Sequence, residues 1–233
     1  MTVIALKALS DNYIWLYQKN QDLVVIDPGE AQPVLEYLSN HQVHLAAILL
    51  THDHADHTDG VKVILDQYPA CPVYGPKECG RFVENIVQPN EEFSLLAEKW
   101  QVIAASGHTN GHIAYLINQD LFCGDALFMA GCGRVFTGDY PAQYQTLENF
   151  AELADDVKVY AAHEYSETNL RFAQEVDPTN PDVSSALKKV KEQRQQDRPT
   201  LPSTIQLEKR INPFMRAKNL AEFIELRKKR DNF

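Results

Sequence analysis

THDHADHTDG, residues 51–60, places His52, His54 and His57 with Asp53 and Asp56 in six positions, directly after the apolar run LAAILL. Imidazole and carboxylate side chains bind divalent metals, and each imidazole must offer a deprotonated ring nitrogen to do so. In a strand, residues 52, 54 and 56 share a face and 57 points away; in a helix, residues 52 and 54 diverge by about 200°. No single regular element converges all four. The segment is therefore read as a loop just past a strand, with His52 and His54 serving one metal and Asp56 and His57 a neighbouring one.

Other ligand-type residues occupy the same kind of position. His108 follows VIAAS, Asp125 follows LFCG, and His163 follows VYAA. Strand ends on one edge of a sheet are where side chains from distant sequence can meet. The allocation that follows gives His52, His54 and His108 to one site and Asp56, His57 and His163 to the other, with Asp125 bridging. Open coordination positions are left for water, as catalytic rather than structural sites require. The two-site allocation implies two divalent ions per chain; the nitrogen and oxygen donor set without thiolate fits zinc, iron or manganese, and zinc is the metal expected. His41 and His44 are read as solvent-exposed, and His112 as a packing or supporting residue.

The surrounding sequence sets the frame. At 233 residues, 44% hydrophobic and 23% charged, the chain has the composition of a globular protein with a substantial core. Its start lacks a basic region followed by a long apolar run, and no stretch approaches the roughly 20 apolar residues that span a bilayer. Both points predict a cytoplasmic protein, as do four cysteines without a C-x-x-C pair, read as reduced thiols. The net charge of -10 argues against nucleic acid or an anionic membrane as partner. That charge is uneven, since residues 205–233 carry +4 and the remainder -14. The expected assembly is a monomer.

Apolar runs and turn signals predict strands in TVIALKAL, NYIWLYQ, DLVVIDPGE and LAAILLT, with a helix in AQPVLEYLSNH. GVKVILDQY reads as a helix capped by Thr58 or Asp59. A second strand-rich stretch covers about residues 100–165, with TLENFAELA as a helix within it. From about Ser166 the pattern turns helical in TNLRFAQEV, PDVSSALKKVKEQRQQD and NLAEFIELRKKRD, separated by proline-containing segments. The fold class is α/β, a layered domain over 1–165 followed by a helical domain over 166–233.

THDHADH resembles the T-H-x-H-x-D-H signature of the metallo-β-lactamase superfamily, and His108, Asp125 and His163 match that family's remaining ligands in order. DNYIWL, GCGRVF, HEYSETNLRFA, PSTIQLEKRINPFMR and LRKKRDNF further resemble the hydroxyacylglutathione hydrolase (glyoxalase II) family along nearly the whole chain. The resemblance implies an αββα sandwich with a C-terminal helical domain and a binuclear metal centre. It also implies hydrolysis of S-D-lactoylglutathione to D-lactate and glutathione, the second step of methylglyoxal detoxification, by a hydroxide shared between the metals. By the same resemblance Asp56 orients the nucleophile, Arg227 and Arg230 grip the glycine carboxylate of glutathione, and Arg134 and Tyr165 contact the tripeptide elsewhere. Arg134 stands where a lysine is common in animal members, and Phe136 where a tyrosine is common.

Overall fold

The computed structural model describes residues 1–233, which group into two compact units: residues 1–104 with 111–118, and residues 105–110 with 119–233.

In the first unit, β1 (Thr2–Ala8), β2 (Asn12–Lys19), β3 (Asp22–Ile26), β4 (His44–Leu49), β5 (Val73–Gly75) and β6 (Asn85–Ile86) lie side by side in that order. The first three pair antiparallel through short turns, and β3 to β6 pair parallel. Parallel neighbours need a crossover. The helix α1 (Gln32–Asn40) supplies it between β3 and β4, and α2 (Ala55–Thr58) with α3 (Val61–Gln67) between β4 and β5.

Strand β2 shows how the sequence sets the layers, because alternate side chains of a strand face opposite ways. Ile14 and Leu16 join a cluster with Leu23, Val25 and Ile48 of neighbouring strands, Val34 and Leu38 of α1, and Val61 and Ile64 of α3. Tyr13, Trp15 and Tyr17 take the opposite face and are also buried. That face meets an antiparallel sheet of β7 (Glu92–Leu95), β8 (Glu98–Ala104) and β9 (Ile113–Ile117). Tyr17 packs edge-on to Trp100 at 5.1 Å between ring centroids, and Tyr74 stacks on Phe93 at the same separation. Tyr115 donates to the Leu50 carbonyl at 2.8 Å, which also satisfies its buried hydroxyl.

The expected cap of α3 is corrected. Thr58 ends α2 and donates its hydroxyl to the His54 carbonyl at 2.9 Å, so the residue before α3 is Gly60. A Cβ at Gly60 would lie 2.5 Å from the Pro28 carbonyl oxygen, so close backbone approach replaces side-chain capping there.

In the second unit, β10 (Asp120–Gly124) pairs parallel with β11 (Lys158–Ala161), and the helix α4 (Tyr140–Ala151) lies between them in sequence. The chain then forms α5 (Ser166–Val176) and α6 (Pro181–Gln195), and returns to pair β12 (Ser203–Thr204) antiparallel with β11. The helices α7 (Ile205–Ile211) and α8 (Leu220–Asp231) complete it. Helix starts follow local chemistry: Asp139 caps α4, Asn180 caps α6 ahead of Pro181, and Asn219 caps α8. Phe214 lies between Phe172 at 6.0 Å and Phe223 at 5.9 Å, and these three rings are fully or almost fully buried. The seven-residue α7 lay inside a stretch read from sequence as a proline-containing separator. Pro202 and Pro213 hid it, while Thr204, accepting from the Leu207 amide at 3.2 Å, starts it.

Glu208 of α7 is completely buried. Burial pushes its carboxyl up from an ordinary 4.5 to about 7, against hydrogen bonds that favour the ionised form. A folded-state value above the unfolded one gives stability that is complete below the unfolded pKa and is lost as pH rises through the folded pKa. We therefore expect Glu208 to withdraw about 3 kcal/mol of stability between pH 4.5 and 8. Urea unfolding of wild type and Glu208→Gln at pH 5 and pH 8 measures it: the wild type loses more stability than the variant, and equal losses would refute the shift.

Candidate metal centre

In the first unit the ligand-rich segment starts where β4 ends and closes into α2. The carboxylate beneath it is Asp27, 4% exposed, just beyond β3. One Asp27 oxygen accepts the Thr51 amide at 2.8 Å; the other accepts the Thr51 hydroxyl at 2.7 Å and His57 Nδ1 at 3.0 Å. A threonine hydroxyl has one proton, and this one goes to Asp27. Thr51 Oγ1 therefore accepts from His52 Nδ1, 3.0 Å away. Both imidazoles are thereby locked in the tautomer that carries its proton on Nδ1 and its lone pair on Nε2. Asp27, His52 and His57 offer ligand-type atoms within 4.8 Å of one another.

Asp56 sits on α2 and is oriented from a distant strand. Asn12 Nδ2 donates to Asp56 Oδ2 at 3.0 Å and approaches its carbonyl oxygen at 3.3 Å. The Asp56 carboxylate lies 3.5 Å from His57 Nε2. Close approach of backbone explains Gly29, where a Cβ would lie 1.7 Å from the Asp56 carbonyl oxygen. His54 packs edge-on to His52, and His112, completely buried, stacks on His52 at 4.5 Å with the rings 20° apart. His41 and His44 are exposed.

The second unit gathers His108, Asp125 and His163. Asp125 follows Gly124, whose φ of 50° turns the chain at the end of β10. Its two oxygens face two imidazoles: Oδ2 lies 3.3 Å from His108 Nε2, and Oδ1 lies 3.3 Å from His163 Nε2. His108 Nδ1 donates to the Arg134 carbonyl at 2.8 Å, so in the neutral ring Nε2 carries the lone pair. A lone pair turned toward a carboxylate is repulsive unless a cation or proton lies between them. The donor set and the tautomers it enforces suit a divalent metal. His163 is nearly parallel to Tyr165, 4.8 Å away.

The same unit holds the basic residues. Arg134 has 58% of its side chain exposed, with Nε 3.4 Å from Asp231. Arg227 is 5% exposed: its Nη1 donates to the Cys132 carbonyl at 2.7 Å, Nη2 donates to Asp231 at 2.9 Å, and the guanidinium lies 5.0 Å from the Phe214 ring centre. Arg230 donates to Asn169 Oδ1 from Nε and Nη2. Burial, with Arg227 beside it, pulls Arg230 below the usual guanidinium range. Phe136 is exposed and meets His108 edge-on at 5.2 Å.

Sequence reading missed Asp27 and Asn12. Asp27 satisfies the rule used for the other candidates, a carboxylate just past an apolar run, but DLVVIDPGE is read only as a strand ending in a turn. Asn12 carries no comparable signal, because its partner is 44 residues away.

The chain matches the metallo-β-lactamase superfamily over residues 9–163 and the hydroxyacylglutathione hydrolase C-terminus over residues 164–233. Two curated relatives are similar over the full length of both chains: the hydroxyacylglutathione hydrolases of Glaesserella parasuis serovar 5, 51% identical, and Haemophilus ducreyi, 47% identical. The crystal structure of ETHE1 from Myxococcus xanthus is 25% identical, with a TM-score of 0.76, covering 98% of this chain and 90% of that one.

Partners that orient metal-binding histidines are worth about 10–100-fold in metal affinity. Asp27→Ala should therefore weaken zinc binding by about that factor, measured by competition with a chromophoric chelator. Unchanged affinity in a folded variant would reduce Asp27 to a folding role.

Proposed function

This chain belongs to the hydroxyacylglutathione hydrolase family of the metallo-β-lactamase superfamily, and on that membership we propose that it hydrolyses S-D-lactoylglutathione to D-lactate and glutathione. The observation that carries the reading is the matched C-terminal segment, residues 164–233, because the metal motif by itself is shared by enzymes of many substrates. Residues 1–165 would supply the metal ligands, and residues 166–233 form the helical substrate-binding domain, which carries the two arginines assigned to the glycine carboxylate of glutathione.

His52, His54 and His108 would hold one divalent ion, Asp56, His57 and His163 a second, and Asp125 would serve both, with zinc the expected metal. Supporting this are the Nδ1 partners of His52, His57 and His108 and the two imidazoles facing Asp125. The metals supply Lewis acidity and acidified water. Asp56, held by Asn12, orients the attacking water. Water adds to the thioester carbon, the carbon–sulfur bond breaks, and glutathione departs as a thiolate. Its pKa is about 8.5, so departure needs little help from a general acid.

Glutathione carries two carboxylates, and planar guanidinium forks suit them. Arg227 and Arg230 are assigned to the glycine carboxylate, and Arg134 and Tyr165 to the rest of the tripeptide. Arg227 would share its guanidinium with Asp231 and the Cys132 carbonyl while doing so. The reaction is assigned to the cytoplasm and to a monomer. All four cysteines are free and buried, which suits a reducing compartment, and no helix is long and apolar enough to cross a membrane.

Thiol release from S-D-lactoylglutathione, with metal content determined on the same sample, tests the reading. Release is expected to stop when the metal is chelated, and Asp56→Ala should lower kcat far more than it changes KM. No release from metal-replete wild type would overturn the substrate. Arg227→Ala is expected to raise KM more than it lowers kcat; an unaltered KM would remove Arg227 from the carboxylate site.

A further inference from the structure

The loop from Phe128 to Arg134 joins two parts of the centre. It leaves the segment that carries Asp125, and its last carbonyl, that of Arg134, accepts from His108 Nδ1. It also passes so close that a Cβ at Gly133 would lie 2.1 Å from the Asp125 carbonyl oxygen and 2.8 Å from His108 Nδ1. A shift of this backbone would move the partner of His108 and the Arg134 side chain together.

The loop begins with a tight turn in which Phe128 and Gly131 exchange two backbone hydrogen bonds of 3.0 Å. Ala130 takes the left-handed conformation, φ 53°, which L-residues adopt only when the surroundings enforce it. Those surroundings are buried polar side chains from the C-terminal helices. Glu208 Oε2 accepts the Ala130 amide at 2.8 Å and the Asn212 side-chain amide at 3.0 Å. Asn212 Nδ2 also reaches the carbonyls of Gly131 at 2.9 Å and Phe128 at 3.3 Å. Asn169 donates to the Met129 carbonyl at 3.2 Å. Glu208 and Asn212 are both completely buried. A buried carboxyl is costly, and this one holds the turn directly through the Ala130 amide and indirectly through Asn212.

We propose that Glu208 is a positioning residue of the reaction: by fixing the Ala130 and Asn212 amides it holds the 128–134 loop where the Arg134 carbonyl aims His108 and the Arg134 side chain meets the substrate. This rests on the function proposed above. The α7 helix thus acts on the metal ligand His108 and on the substrate contact Arg134 through one stretch of backbone, without touching either.

The test uses two substitutions of similar volume in the full chain. Glu208→Met removes the acceptor, whereas Glu208→Gln keeps an oxygen for both amides. Zinc affinity, measured by chelator competition, and KM for S-D-lactoylglutathione are the readouts, because loss of stability alone would move neither. Glu208→Met is expected to weaken zinc binding about tenfold and to raise KM, and Glu208→Gln to restore both. A folded Glu208→Met protein with wild-type zinc affinity and KM would overturn the proposal, whatever its melting temperature. If that variant does not fold, the same readouts on Asn212→Ser decide, and unchanged values there would overturn it. Wild type that binds zinc but does not hydrolyse the thioester would refute the function, while the zinc affinities would still judge Glu208.

Discussion

The buried carboxylate of Asp27 is the contact on which the first unit's ligand segment depends. It lies where β3 ends, at φ 52°, and takes three donors from the chain that leaves β4. A carboxylate this deep is costly unless its oxygens are satisfied. Thr51 and His57 satisfy them, and in doing so they define a tautomer for His57 and, through the Thr51 hydroxyl, for His52. Burial thus enforces the hydrogen-bond pattern, and in the neutral ring that pattern places the lone pair on Nε2. The parallel pairing of β3 with β4 brings the two strand ends together, with Asp27 donating its own amide to the Leu49 carbonyl at 3.0 Å.

The second unit solves the same problem with a different set of groups. The backbone of residues 128–134 crosses buried ground without regular secondary structure, so each polar group there must find a partner. The C-terminal helices supply them: Asn169 from α5, Glu208 from α7, Asn212 from its end, and Arg227 from α8 through the Cys132 carbonyl. Arg227 is itself buried against Phe214, so its charge is met by Asp231 and by the ring face. The helical segment therefore supports the loop as well as carrying the basic residues assigned to glutathione.

Much of this is legible in the sequence. Buried strands announce themselves as apolar runs, so the strands from β1 to β4 and the central strands of the later stretch were readable, as were α1, α5, α6 and α8. The rule that candidate ligands sit just past such runs picks out His52, His108, Asp125 and His163 on local grounds. The same rule applied to DLVVIDPG would have found Asp27. Local signals failed for α7, whose flanking prolines resemble a linker, and for the start of α3, where crowding by Pro28 rather than a side-chain cap decides the boundary. Asn12, Glu208 and Asn212 gave no local signal, because an asparagine or glutamate on the surface and one buried at a turn look alike in sequence.

By itself the sequence determined the fold class, the family and the residue types available to a metal, because periodicity and motif spacing are local properties of the chain. Only the tertiary structure decided which nitrogen of each imidazole carries the proton, which carboxylate holds which donor, and why Ala130 adopts a left-handed turn. The decisive pairings reach across the chain, with Asp27 held by Thr51 24 residues away and Glu208 by Ala130 78 residues away, and burial makes each such pairing obligatory once the chain has brought the groups together.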